Sequence, residues 1–403
     1  MSSVCTLPRL GPSRDGAPAA PEMAPAAVEF HYTQTDSFAA LLHQLGASLL
    51  VSTYQANKLL VVREAGGGLS TLVRTFDRPM GLAADGRRLA VGTRTEVWLL
   101  RNAPDIAPRI EPAGHHDACY LPRSCHVTGD IGIHEMAWAR TRDQGSGVGG
   151  QEEDTENELW AVNTRFSCLC TLHPDYSFVP RWRPPFIAAL AAEDRCHLNG
   201  VAIIEGQPKY VTALGESDTA GGWRAHKPHG GCLMDVTTGE ILLRGLSMPH
   251  SPRWHDGWLW LLESGTGRLV RVDLAARRWQ PLSELPGFAR GLAFHGQYAF
   301  VGLSKIRATS AMDGVPLAER REQLKCGVAV VDLRSGQSIA LLEFQTAVEE
   351  IFDVQLLPGL RFPEVVGFQK EALHHTFIIP PEPRLLPGRD NQIASDVPRR
   401  IIK

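Results

Sequence analysis

"MGLAADGRRLAVGT", residues 80–93, joins two short β-prone runs through a Gly-centred turn. That grammar is a hairpin signature. It recurs at "NGVAIIEGQPKYVTA" (199–213), "SPRWHDGWLWLLES" (251–264), "RGLAFHGQYAFVGLS" (290–304) and "IFDVQLLPGLRFPEVVGF" (351–368). A sixth copy, "HEMAWAR" with "NELWAVNTR" (134–165), fits once the Gly-rich, acidic stretch 141–157 is read as a solvated insertion. Further β-prone runs follow each hairpin, punctuated by tight-turn signals such as "DVTTG" and "DLRSG". Four-strand units repeating every ~40–65 residues mean a propeller.

The expected fold is therefore all-β, a six-bladed β-propeller. Seven blades is the alternative, should one blade be misread. The runs at 49–76 lack a preceding first strand, and the copy at 351–368 lacks outer strands. Pairing of N- and C-terminal strands would complete one split blade and leave the ring without a free edge. The expected boundaries are a disordered leader (1–30), a single propeller domain (31–370) and a C-terminal extension (371–403). Helical periodicity is hard to find before residue 370.

Composition narrows the function classes. Of 403 residues, 43% are hydrophobic and 21% charged, ordinary values for a globular protein. The formal net charge of −3, without a basic tract, argues against nucleic acid and anionic membranes as partners. No apolar run is long enough for a membrane span, and the first residues lack the apolar core of a signal peptide. The eight cysteines are scattered with no C-x-x-C pair, so reduced thiols and a cytoplasmic location are expected. No P-loop or dinucleotide fingerprint is present, so no nucleotide cofactor is expected. Oligomeric state is left open.

The polar residues point to one end of the ring. In a propeller, the start of each innermost strand and the end of the second share a face. Strand-one starts carry His134 with Glu135, His197 with Asn199, His250 with Arg253, and Arg290. Strand-two ends carry Arg94, Asn163, Arg165 and Glu263. Long connections at 103–133, 216–230 and 305–325 are expected on that same face. Functional loops gather at one end of a rigid scaffold.

His134, His197 and His250 come from three successive blades. Three imidazoles on an axis suit one divalent transition metal, zinc or similar, with a position left for water. The alternative is a metal-free wet channel. Glu135 and Glu263, with His229 from the 216–231 loop, are the candidate acid/base groups. Arg165, Arg253 and Arg290, with Asn163 and Asn199, are candidate substrate contacts. The stretch "HHDACYLPRSCHVTGD" (115–130) is a candidate lid, presenting Tyr120, Arg123, His126 and Asp130 to a ligand. A self-capped loop is the plainer reading of the same residues.

"HDACYLPRSCHVTGDIGIHEMAW", "KPHGGCLMDV" and "MPHSPRWHDGWLWLLESGTGRL" resemble a bacterial family of conserved hypothetical proteins. The resemblance runs from about Leu49 to Lys370 and implies a bacterial origin and a propeller, with no assigned activity. More distantly, the plan is similar to propeller lyases that hold a metal on the axis, including the one that releases amidated peptides. No motif here matches that enzyme residue by residue. The expectation is an enzyme, a metal-assisted lyase, hydrolase or isomerase acting on a small polar substrate or a peptide side chain. The rival class is a non-catalytic propeller that binds a ligand or a protein.

Overall fold

A computed structural model describes residues 30–140, 157–307, 312–367 and 376–378. The expected leader up to residue 29, the body of the acidic insertion (141–156) and most of the C-terminal extension lie outside these residues.

Among the described residues the chain forms six sheets. Each holds one blade of four antiparallel strands, two of the sheets carry a fifth strand at the outer edge, and the inner strands contact one another in a closed ring. Blade 1 begins at Leu82–Ala84, blade 2 at Ile133–Arg140 and blade 3 at Leu198–Ile204. Blade 4 begins at Pro249–His255, blade 5 at Phe288–His295 and blade 6 at Asp353–Pro358. Strands near the axis are covered on both faces, so they read as continuous apolar runs. All seven residues of Ala47–Thr53 are buried, whereas the outermost strand Tyr176–Trp182 has none fully buried.

Blade 6 is the split blade. Its inner strand Asp353–Pro358 pairs with Ala47–Thr53, in the register Leu50 opposite Gln355. The hairpin expected within 351–368 does not form. Pro363–Val365 instead leaves blade 6 and pairs in parallel with Ala118–Val127, the outer strand of blade 1. At the other terminus, Tyr32–Gln34 adds to the outer strand Ser338–Phe344 of blade 5. Both chain ends thus tie blade 6 to a neighbour.

One α-helix forms among the described residues, where helical periodicity is hard to find in the sequence. The helix α1 (Asp36–Leu45) follows that edge strand, with Phe38, Leu41 and Leu42 buried against the sheet. The i, i+3, i+4 spacing makes one apolar face, and Gly46 at φ 58° ends the helix in the left-handed conformation.

Neighbouring blades are latched by buried side chains. Ser52 Oγ donates to Met80 O, Thr164 Oγ1 to Leu198 O, Ser264 Oγ to Ala289 O and Ser304 Oγ to Ile351 O. Asn199 Nδ2 makes the corresponding bond to Pro249 O, between blades 3 and 4. Each such bond contributes about 1 kcal/mol net, and far more is lost if one partner is left bare.

One or two residues beyond these acceptors, the inner strands carry either a glycine or a polar group. A Cβ on Gly81 would lie 2.8 Å from His134 O, and one on Gly291 would lie 2.7 Å from Val354 N. Glycine is required because the next blade's backbone passes there. In the intervening blades Glu135 accepts Val201 N–H, Asp353 accepts Leu82 N–H and Ser251 accepts Gly291 N–H. The two kinds of contact thus occupy different blade boundaries around the ring.

Candidate active site

One mouth of the ring opens into a cavity of about 460 Å³, the size of a small-molecule site. His134, His197 and His250 reach it from blades 2, 3 and 4. Ring centroids lie 4.8 Å apart for His134 and His197, and 6.1 Å apart for His134 and His250. His197 has φ 52°, and Met248 and Ser251, flanking His250, have φ 47° and 51°. Left-handed backbone is uncommon for such residues and is tolerated where the surroundings impose it.

The hydrogen bonds decide which ring nitrogen faces the cavity. Thr164 Oγ1 spends its proton on Leu198 O, so it accepts from His134 Nδ1–H at 2.9 Å. His250 Nδ1–H donates to Met248 O at 2.9 Å, with Ser264 Oγ at 3.0 Å. His197 Nδ1 lies 2.9 Å from Asp194 Oδ1. All three rings are thus held at Nδ1, which leaves Nε2 as the nitrogen to offer a ligand. His134 Nε2 is buried and has no partner. Burial, and next the charges of His197 and Arg290, hold the His134 imidazole well below its ordinary pKa. Burial and then Arg290 do the same for His250. Both rings are neutral at pH 7.

The same latches therefore serve two purposes. Thr164 and Ser264 join blades, and they fix the imidazoles of blades 2 and 4. Asp194 does more for blade 3, because it also accepts Trp223 Nε1–H at 3.0 Å and pairs with Arg224. Trp223 packs against the His197 ring at a centroid distance of 4.4 Å.

Guanidinium groups line the rest of the mouth. Arg94 and Arg165 share Asp130, at 3.7 and 3.1 Å. Arg290 and Arg307 share Glu350, at 2.6 and 3.6 Å. Arg290 also stacks on Phe352 at 4.0 Å and donates to Ile351 O. Among the described residues, no group of three His, Cys, Asp or Glu side chains stands in metal-ligating array.

Of the residues singled out from sequence, the cavity brings together His134, His197, His250, Arg94, Asp130, Arg165 and Arg290. The others lie elsewhere. Residues 115–130 are not a lid, because Ala118–Val127 is the outer strand of blade 1. Tyr120 is fully buried there and donates to Gly86 O, in a hairpin turn at the opposite end of the ring. Arg123 is exposed on that strand, and His126 Nε2 contacts Ser177 O of blade 2. The connection 103–117 is correspondingly at the far end, where Asn102 Nδ2 also bonds Gly86 O. Pro122 is accommodated at a register shift on the outer strand, which is why this strand reads as a loop.

Asn163 and Asn199 are fully buried braces. Asn163 Oδ1 accepts Phe166 N–H, and Asn199 Oδ1 accepts from Thr212 Oγ1. Glu263 accepts Ser247 N–H and the Thr266 hydroxyl, so it shapes a turn. His229 is exposed, outside the cavity lining.

Glu135 and Arg253 form a separate cluster, 2.9 Å apart, with Asp353 at 3.9 Å from Arg253. Burial pushes the Asp353 carboxyl up to about 7, with Arg253 opposing and Glu135 reinforcing the shift. Asp194, Arg224 and Arg307 are cavity residues that sequence reading missed. An Asp three residues before a candidate ligand histidine was the legible signal for the first. The arginines lie in loops whose course depends on tertiary packing.

A family model described as a domain of unknown function, DUF4915, matches residues 36–366. The chain belongs to the DUF4915 family. The matched span runs from the start of α1 to just past Pro363–Val365, so family domain and closed ring coincide. A search of curated proteins found no match. Among solved structures, a chain from the crystal structure of a nidogen/laminin complex aligns with 78% of this chain and 99% of its own length. The TM-score is 0.47 and the identity 10%. No helix among the described residues of this DUF4915 chain is long and apolar enough to cross a membrane.

Proposed function

We propose that the mouth cavity is the active site of an enzyme, a metal-assisted lyase, hydrolase or isomerase acting on a small polar substrate. The observation that carries this reading is the common orientation of three histidines. Each is held at Nδ1 by an acceptor, and His134 Nε2 is buried without a partner. An unpaired buried acceptor costs free energy that a bound ligand would recover. The three Nε2 atoms are the proposed ligands for one divalent transition metal, zinc or similar. A metal there would polarise a substrate oxygen or activate water. Asp194 behind His197 is the carboxylate partner such ligands commonly have. Arg165 and Arg290 position the substrate.

A metal-free reading is favoured by the neutrality of His134. An uncharged imidazole with a bare Nε2 can accept a proton from a bound substrate without any metal. A non-catalytic binding propeller is the remaining alternative. The seven described cysteines are all free, which supports a reducing compartment such as the bacterial cytoplasm.

Elemental analysis of protein purified without a His tag, beside the His134→Ala/His197→Ala variant, separates these readings. About one equivalent of a transition metal, lost in the variant, supports the ligand set. A folded wild type that takes up no added metal removes it and leaves His134 as a base.

A further inference from the structure

We infer that the cavity takes a small monocarboxylate, its one anionic group held by Arg94 and Arg165 and its apolar body lying toward His134. The inference rests on the active-site reading and names the substrate class of that site.

Charge around the mouth is uneven. Between blades 5 and 6, Arg290 pairs with Glu350 at 2.6 Å, and Arg307 lies 3.6 Å from Glu350 and 4.0 Å from Glu349. Two guanidiniums there meet two carboxylates. Arg224 is likewise matched by Asp194. Between blades 1 and 2, by contrast, Arg94 and Arg165 share Asp130, at 3.7 and 3.1 Å, and among the described residues they pair with no other acid. Two guanidiniums against one carboxylate leave a surplus of one positive charge. Counting in exposed Arg78, which lies against the Tyr54 ring, together with its neighbour Asp77 leaves that surplus unchanged.

Donors are left over at the same place. Arg94 Nε is beyond hydrogen-bonding range of Asp130 at 3.7 Å, and Arg165 Nε is buried with no hydrogen-bond partner among the described residues. A carboxylate accepts from guanidinium groups bidentately and would supply those bonds. Its unit charge equals the surplus, whereas a phosphate monoester carries about −1.5 to −2 near neutral pH.

The surplus also sits beside the histidines. Arg165 directly follows Thr164, whose hydroxyl holds the His134 ring at 2.9 Å. The Phe352 ring lies 4.8 Å from the His134 ring and 5.8 Å from the Tyr54 ring, centroid to centroid. With Met80, these aromatic rings form the apolar lining against which the body of the acid would rest.

Calorimetric titration tests this with benzoate and butyrate, each beside its amide, and with phenylphosphonate and succinate. The better acid should bind at least about ten-fold tighter than its amide. Succinate should bind no tighter than butyrate, and phenylphosphonate no tighter than benzoate. Arg94→Gln and Arg165→Gln should each abolish the preference for acid over amide, while Arg307→Gln should retain it. Asp130→Asn removes the competing carboxylate and should tighten acid binding by about three-fold or more, a gain that a misfolded variant cannot give. Amides binding as well as acids, Arg94 and Arg165 variants that keep the preference, or weaker acid binding by Asp130→Asn would each overturn the inference. So would tighter binding of succinate or phenylphosphonate, or no binding by any acid at millimolar concentration. Acid binding without turnover of any bound compound would count against the enzyme reading alone. Turnover of an uncharged compound by wild type and Arg165→Gln alike would count against the monocarboxylate alone.

Discussion

Thr164 shows how one side chain can tie fold to site. Its hydroxyl donates across the blade boundary and accepts from His134 at the same time. Thr164→Val keeps the shape and removes both bonds. Stability should fall by about 1–3 kcal/mol, because Leu198 O and His134 Nδ1 are left bare in a buried setting. Urea denaturation measures the loss. Ligand titration should show weaker binding by Thr164→Val than by Thr164→Ser, which retains the hydroxyl. Asp353 provides the pH-dependent counterpart. Its folded pKa of about 7 stands above the ordinary value of 3.8. The folded state therefore holds the proton more tightly, so this contribution is full below about 4 and is lost as pH rises through about 7. The slope should approach about −1.4 kcal/mol per pH unit in that window. Asp353→Asn should flatten it, although the side-chain amide cannot accept both Leu82 N–H and Val354 N–H as the two carboxyl oxygens do. Equal slopes in urea midpoints between pH 4 and 7 would refute this account.

At the scale of strands, blades 1 and 5 meet the next blade through backbone that leaves no room for a side chain at Gly81 and Gly291. Gly291 has φ 84°, and an added Cβ would press on Asp353 and Val354 of blade 6. Gly291→Ala combines a left-handed conformation with a backbone clash, so the cost should exceed ~1 kcal/mol. Gly296→Ala, in a hairpin turn with open space around the site, bears only the conformational part of that cost. Thermal melts of the two variants should therefore differ, with Gly291→Ala the lower. The hairpins themselves were legible from sequence because a turn glycine between two β-prone runs is a local signal. Two elements escaped. Helix α1 is a single short amphipathic stretch amid strands, and Ala118–Val127 carries a proline at its register shift. Both derive their identity from the sheet they lie against.

For the whole molecule, stability depends on closure by chain ends that are more than three hundred residues apart. Pro363–Val365 carries part of that closure. Glu364 is buried with Arg74 as an ion pair, and Arg63 donates to Pro363 O. Burial, followed by the opposing pull of Glu364, leaves the Arg63 pKa below its ordinary value. Removing the acid by Glu364→Ala leaves buried guanidinium charge without its partner, at a cost of about 3 kcal/mol. The Glu364→Ala/Arg74→Ala double variant should recover part of it. Additive losses in the double variant, measured by denaturant titration, would contradict the pairing.

The amino-acid sequence alone determined the repeat and the split blade and favoured six blades over seven, because strand periodicity and turn chemistry are local properties. It also placed three histidines at successive strand starts, and their convergence follows from the repeat. Tertiary structure alone decided which polar residues join them. Asn163, Asn199 and Glu263 share the histidines' end of the ring, yet their hydrogen bonds turn them into braces. Asp194 and Arg307 reach the cavity from loops with no repeat to locate them. The physical reason is that strand position sets the end of the ring at which a residue lies, whereas a buried polar group's role depends on the partner that satisfies it. That partner usually comes from another blade.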